Sequence, residues 1–464
     1  MASISRQLAQ WIANLKYEDL PPAVVDRAKG VTLHGIASAL VGSQSKAGKH
    51  AVDFVTEEES TAKNGATLLV YGTKVTRGGA AYANSEMQMS GGKLDSFRML
   101  THPGTSIIPA ALIAAETAGA NGKDTLTGIA AAYETTERLA AEFIPTVMAR
   151  GFHPSPVFGI FGAAIAAAKV MKLNEDQINS AIGLCASLAG SNPELGRSGG
   201  KMLREGAAVR NAMLAVSLAQ RGHDTGDTVL EGDAGFYHAY AGNNAGNLTY
   251  SFTGDVKASL AKITEGLGKD WIFLETLYRI YSTAGYNIAH VDVTAQVCRE
   301  NDIEPADIDR IEAVVNWLET QYPSPAFPAR KETGKARAGG TAYFTAYGAV
   351  ARGYPVERPQ TADMSGPDVP REVLDLMNRV TIIPSNEMTL FGPRITVFTK
   401  DGKSYTRQGT GREFVWDFDE EVKRIRGVLP VIPIPASQFD QIIETCRTLD
   451  KAERADKLVQ LTLR

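Results

Sequence analysis

From Gly151 to Ala168 the chain runs for 18 residues without a Lys, Arg, Asp or Glu. A stretch that apolar has to leave water, either in a bilayer or in the core of a helical protein. His153, Pro154 and Pro156 favour the core, because a membrane span needs about 20 predominantly apolar residues and prolines at its head mark a helix start. Ser155 followed by Pro156 reads as the N-cap and first turn of a helix from Val157 to Met171. Along it Gly159, Gly162, Ala163, Ala166 and Ala167 carry almost no bulk, so neighbouring backbones can approach closely. Glycine is plentiful throughout, 44 of 464 residues, and much of it lies beside alanine.

The same helical reading extends over the first half. Ser3 to Leu15 and Ala23 to Leu40 are amphipathic and separated by Leu20-Pro21-Pro22. Pro109 to Ala118, Thr125 to Ala141, Asn174 to Leu188 and Gly206 to Arg221 complete the series. From about residue 303 the period changes. Arg310 to Trp317, Val380 to Ile383 and Arg394 to Thr399 are rich in β-branched residues and read as strands. Asp401-Gly402 separates two such runs as a hairpin turn, since that dipeptide tolerates positive φ. Helices return at Asp417 to Arg426 and Ala436 to Leu449. The expected fold is mainly α: a large all-helical domain made of 1–268 and 409–464, with a smaller α+β lid domain inserted at 269–408.

Charge excludes one class of partner. Lys and Arg number 48 against 52 Asp and Glu, a net of −4, which offers no broad face for a nucleic-acid backbone. Cys185, Cys298 and Cys446 are odd in number and far apart, so neither a disulfide framework nor a structural zinc site is expected. The start of the chain has no apolar signal core, and a cytoplasmic protein with no membrane partner is the expectation.

Two motifs fail on their own terms. Gly196 to Lys201 is one residue short of a phosphate loop, and Met202 stands where a Ser or Thr has to reach magnesium. Gly196 to Gly200 matches GxSxG, but Ser191-Asn192-Pro193 reads as a turn where a strand has to lead into the nucleophile. What remains is a set of histidines and cations beside glycine or proline. His102 lies in Thr101-His102-Pro103-Gly104, and His153 lies in Gly151-Phe152-His153-Pro154. Lys201 and Arg204 follow Gly199-Gly200 at the start of a helix, where the partial positive charge of the helix end makes a cation pair unfavourable and an anionic ligand welcome. Arg279 and Tyr281 precede a loop leading to His290. Each also has an ordinary reading as a loop histidine or solvated cation, and His34, on the apolar face of a helix, reads as a satisfied core residue. Sequence spacing alone does not bring these segments together.

At these residues the chain resembles the MmgE/PrpD family of dehydratases, decarboxylases and epimerases, whose substrates include 2-methylcitrate, cis-aconitate and iminodisuccinate. The resemblance rests on Ala83-Asn84, Thr101 to Glu116, Ala132-Tyr133-Glu134 with Arg138, Gly151 to Ala164, Gly199 to Asn211 and Leu230 to Tyr240, in that order. It implies chemistry on small di- or tricarboxylates with no metal or other cofactor, and a homodimer. It implies catalytic roles for His102, His153, Lys201 and Tyr347, with Tyr343 as the alternative tyrosine. Arg204, Arg279, Tyr281 and His290 are implied as substrate-binding. One departure stands out: family members commonly carry D-x-D-D where this chain has Gly92-Lys93-Leu94-Asp95, followed by Ser96 at a position often filled by Ser or Thr. Asp95 is then the surviving carboxylate and Ser96 a substrate contact. Arginine at 279 in place of a family lysine keeps its charge and offers a two-pronged fork, which suits a carboxylate clamp. The leading expectation is a dehydratase of a citrate-like acid, acting by α-proton abstraction. The alternatives are an epimerase or isomerase, a cis-aconitate-type decarboxylase, and a non-catalytic polycarboxylate-binding protein of the same fold.

Overall fold

The structure, a computed structural model, describes residues 2–60, 62–194, 205–281, 283–327, 339–354 and 370–464. The chain forms two compact units. The first comprises Met1–Ser251, Asp255–Ile280 and Trp416–Arg464; the second comprises Phe252–Gly254 and Tyr281–Val415.

The first unit is built from α1 (Ile4–Asn14), α2 (Pro22–Gly42), α3 (Lys46–Glu59), α4 (Arg77–Gly91), α5 (Gly104–Ala118), α6 (Gly122–Ala140), α7 (Ile144–Ala149), α8 (Pro154–Val170), α9 (Glu175–Leu188), α10 (Glu205–Gln220) and α11 (Phe236–Ala241). Side chains close many of the helix starts. Ser3 accepts from the Arg6 amide, Asn121 from Asp124, and Asn174 and Gln177 bond reciprocally at the head of α9. Each satisfies a backbone donor that has no partner within its own helix. The uncharged helix α8 packs against α5, α6 and α10. A Cβ on Gly159 would stand 2.6 Å from the Ser106 hydroxyl, and one on Gly162 would stand 2.5 Å from that of Thr136. The stripe of small residues is therefore a packing surface, as its composition suggested. The cap of α8 differs from the sequence expectation: His153, in extended backbone, holds the N-cap position, Pro154 opens the helix, and Ser155 lies in its first turn.

Two short ribbons accompany the helices. β1 (Ala66–Thr67) pairs with β2 (Lys74–Val75), and β3 (Leu94–Ser96) pairs antiparallel with β4 (Leu277–Arg279). Residues 269–280, assigned on sequence to the inserted domain, belong to the first unit. Phe273 stacks on Tyr133 with ring centroids 4.5 Å apart, and β4 finds its only partner strand among the described residues in β3.

The second unit contains α12 (Gly285–Glu300), β5 (Ile308–Asn316), α13 (Trp317–Thr320), α14 (Thr341–Ala351), α15 (Arg371–Met377), β6 (Val380–Ser385), β7 (Arg394–Thr399) and β8 (Ser404–Gln408). Its sheet has the order β6-β5-β7-β8; β5 and β6 are parallel and the other pairs antiparallel. Parallel neighbours need a long crossover, and the helices between β5 and β6 lie in it. Gly402, at φ 85°, makes the expected turn between β7 and β8. Ile311, Ala313, Ile395 and Val397 pack with Val297, Phe344 and Ala346 as the core.

After the second unit the chain re-enters the first with α16 (Phe418–Ile425), α17 (Ala436–Arg447) and α18 (Lys457–Gln460). Glu421 of α16 meets His34 of α2 at 2.7 Å, both buried, so His34 is satisfied at Nδ1 by an acid from the far end of the sequence. No helix among the described residues is long and apolar enough to cross a membrane.

Glu319 of α13 is buried, and its Oε1 accepts from the Phe391 amide at 2.7 Å while Oε2 has no partner among the described residues. Burial pushes its pKa up to about 8. A raised folded-state pKa means stability that is fully present below the ordinary glutamate value and lost as pH rises through about 8. Thermal unfolding from mildly acidic pH up to about 8 is expected to show this loss, and Glu319→Gln, which keeps the acceptor for Phe391, is expected to flatten it. An unchanged slope in the variant refutes the assignment.

Candidate functional site

The first unit gathers several of the residues singled out in the sequence around the β3–β4 ribbon and the starts of α5 and α8. In the ribbon Leu94 faces Arg279, Asp95 faces Tyr278 and Ser96 faces Leu277. Beyond β3 the chain turns tightly through Arg98 and Leu100, both at positive φ, and reaches α5 after His102-Pro103. The Thr101 hydroxyl bonds the Phe97 carbonyl, and that of Thr105 bonds the His102 carbonyl at 2.6 Å, closing this loop on itself.

Asp95 points into the protein. Its two carboxylate oxygens lie 3.0 and 2.9 Å from the Gly104 amide at the head of α5, and Tyr133 of α6 donates its hydroxyl to Oδ2. A Cβ at Gly104 would come within 2.6 Å of both Asp95 Oδ2 and the Tyr133 hydroxyl, so only glycine fits there. Burial raises the pKa of Asp95, opposed by the Tyr133 hydrogen bond and by the electrostatic influence of His34. The same burial, with the Asp95 charge beside it, lifts the Tyr133 phenol well above its usual value and keeps it a donor. This environment makes Asp95 a cap and an anchor for the loop that carries His102.

The two motif histidines meet at one residue. The His102 amide donates to the Ser155 hydroxyl at 3.1 Å, and the Ser155 amide donates to His153 Nδ1 at 3.3 Å. His102 Nδ1 lies 2.9 Å from the Asp95 carbonyl and 3.2 Å from the Ser96 hydroxyl. The His153 amide bonds the Ser191 carbonyl at 3.0 Å. Both imidazoles are buried. Arg279, half-buried at the end of β4, sits opposite Leu94 in the ribbon.

Lys201 and Arg204 lie outside the described residues. Tyr281, His290 and Tyr347 belong to the second unit. There Tyr281 stacks on Tyr354 at 4.1 Å, and Tyr347 packs at the margin of the core, 5.8 Å from the buried Tyr343 ring. His290 is fully buried on α12 with Nδ1 2.8 Å from the Thr345 hydroxyl, and desolvation lowers its pKa to about 3, so it is neutral.

Three features escaped the sequence reading. Ser155 was read only as a cap, whereas it joins both histidines. Tyr133 is the hydroxyl partner of Asp95, a contact no spacing rule announces. Lys93 is completely buried beside the ribbon, its amide bonded to the Ser38 hydroxyl at 3.1 Å. Gly92, at the place of the family's first aspartate, ends α4 in the left-handed conformation at φ 72°. That gives the glycine a backbone reason, since a left-handed helix terminus favours glycine over any residue with a Cβ.

Two buried imidazoles, one before α5 and one at the head of α8, thus lie beside a ribbon whose second strand ends at Arg279. The chain belongs to the MmgE/PrpD family: the MmgE/PrpD N-terminal domain matches residues 6–248, more than half its length. It is 26% identical over 297 residues to a cis-aconitate decarboxylase-like protein, oryM, of Aspergillus oryzae, covering 61% of this chain and 59% of that protein. It is 25% identical over 295 residues to cis-aconitate decarboxylase of Aspergillus terreus, covering 61% and 58%. Against the cis-aconitate decarboxylase of Homo sapiens the identity is 25% over 339 residues, covering 71% and 67%. The chain thus spans just under three fifths of the length of the two fungal relatives.

Replacing Asp95 by Ala strips partners from the Gly104 amide and the Tyr133 hydroxyl together. The expected loss is about 2 kcal/mol or more in urea unfolding, the range for buried polar groups left unpaired. Asp95→Asn retains the shape and is expected to lose less. Because the Asp95 pKa is raised in the folded state, the stability of the wild type relative to Asp95→Asn is expected to fall as pH rises through that pKa. Equal urea midpoints for Asp95→Ala and the wild type speak against the anchoring role.

Proposed function

We propose that this chain is a lyase acting on a small citrate-like di- or tricarboxylate by moving a proton at the carbon next to a carboxylate. The observation that carries the reading is the joint hold of Ser155 on His102 and His153, in the unit where the ribbon supplies Arg279. Proton removal beside a carboxylate concentrates negative charge on a group that already bears one. A fixed cation and hydrogen-bond donors aimed at that charge are usually the largest catalytic contribution. A histidine base adds roughly 10²- to 10⁴-fold. Arg279 clamps a substrate carboxylate in this scheme, with Lys201 and Arg204 as further cations, and the Ser96 hydroxyl lies beside the His102 ring.

Decarboxylation of a cis-aconitate-type acid is the specific reaction that the observations favour over dehydration. The relatives named above carry that activity in their names. Dehydration also asks for an acid to protonate a leaving hydroxide, and both Asp95 oxygens are engaged by Gly104 and Tyr133. In decarboxylation the bond from carbon to a carboxylate breaks and carbon dioxide departs. The electron pair stays on the substrate skeleton and takes up a proton, so no leaving oxygen needs an acid.

The test is incubation in heavy water with cis-aconitate, citrate and methylcitrate, read by carbon dioxide release and proton NMR. Carbon dioxide with deuterium entering the product is expected, unchanged by a chelator. His102→Asn and His153→Asn are each expected to lower turnover at least ~100-fold. A new alkene from a hydroxy acid makes the enzyme a dehydratase instead, and deuterium exchange alone makes it an isomerase. Binding without either reaction refutes the lyase reading.

A further inference from the structure

Where the hydrogens lie on two imidazole rings decides what each can do, and backbone groups fix both. His102 Nδ1 is 2.9 Å from the Asp95 carbonyl oxygen. A carbonyl oxygen only accepts, so this nitrogen carries a hydrogen, and in the neutral ring the lone pair falls on Nε2. His153 is the reverse. Its Nδ1 faces the Ser155 amide at 3.3 Å, and an amide N–H only donates. Nδ1 therefore holds the lone pair and the neutral ring carries its hydrogen on Nε2.

The two rings also differ in how they tolerate a second proton. A proton gained at His102 Nε2 leaves the Nδ1–H bond to Asp95 in place and strengthens it, since charged donors bond more strongly. A proton gained at His153 Nδ1 would set a ring N–H against the Ser155 N–H. It would also put a positive charge at the head of the 17-residue helix α8, whose N-terminus already carries partial positive charge.

Resting on the lyase reading, we propose that the two histidines have fixed and different duties, with Ser155 as the positioning residue that sets them. His102 delivers the proton to the substrate carbon through Nε2. It takes a proton from solvent to become an imidazolium, gives it to the electron pair left when carbon dioxide departs, and returns to the neutral ring. His153 stays neutral throughout and donates its Nε2 hydrogen to the substrate carboxylate as charge gathers there, an electrophile instead of a base. Ser155 holds the backbone of one and the ring of the other with two atoms of a single residue, so their spacing is set by the end of α8.

Histidine tautomers are read directly by nitrogen-15 NMR on the whole protein labelled at histidine, with His102→Asn and His153→Asn used for assignment. At neutral pH the expected spectrum has the His102 hydrogen on Nδ1 and the His153 hydrogen on Nε2. A His153 ring that is doubly protonated, or either tautomer reversed, overturns the division of duties. This readout needs no turnover, so it stands or falls apart from the lyase reading. Ser155→Ala removes the hydroxyl and keeps the amide. It is expected to leave the His153 tautomer unchanged and to lower kcat about tenfold with KM within about twofold, as befits one lost hydrogen bond behind a reacting group. Ser155→Thr is expected to restore most of kcat. A Ser155→Ala enzyme with wild-type kcat overturns the positioning role, while reversed tautomers in an active enzyme leave the lyase reading intact and remove only the assignment.

Discussion

The Gly104 amide points its hydrogen at both oxygens of the Asp95 carboxylate, and much of the first unit is arranged around that contact. It supplies a cap for α5 from a strand instead of from the preceding turn. It excludes any side chain at Gly104 and brings the Tyr133 hydroxyl of α6 onto the same carboxylate. Burying an anion is costly unless donors surround it. Here a helix amide and a phenol surround it, with His34 within electrostatic reach. Because the carboxylate is fixed, its own backbone carbonyl is fixed too, and that carbonyl is what orients the His102 ring.

Buried acids recur across the first unit, each answered by a different partner. Glu134 is bound by Arg138 at 2.5 Å and by the Phe273 amide at 3.0 Å, while Glu137 takes the Thr276 hydroxyl at 2.5 Å. Burial lifts the Glu137 pKa well above the usual range, opposed by the Thr276 hydrogen bond. Glu421 has His34. The net charge of −4 therefore says little about local fields: acids lie inside as well as outside, and the cations that matter for an anionic substrate are local.

The helices were legible because their signals are local. Caps such as Asn174 with Gln177, the Asp401-Gly402 turn and the small-residue face of α8 each report on residues a few positions away. The resemblance supplied the family and the two motif histidines. The β3–β4 ribbon was not legible. Three-residue strands carry no alternation to detect, and their pairing joins positions some 180 residues apart through backbone hydrogen bonds that any sequence can make. The same blindness placed residues 269–280 with the inserted segment, and it hid Tyr133 and Ser155, whose importance lies in what they touch. Gly92 was read as a missing carboxylate; its left-handed backbone adds a conformational reason that composition does not reveal.

The return of residues 416–464 to the first unit has a consequence for the order in which the protein is made. On the ribosome, His34 is synthesised almost four hundred residues before the Glu421 that its buried Nδ1 meets. The strands β5 to β8, by contrast, all lie between Ile308 and Gln408, so β5 waits only for β6 and β7 and the sheet is complete within that span. The inserted unit can thus finish folding while the older, larger one is still waiting for its last helices. Until α16 emerges, His34 of α2 lacks the acid that its Nδ1 meets in the finished unit.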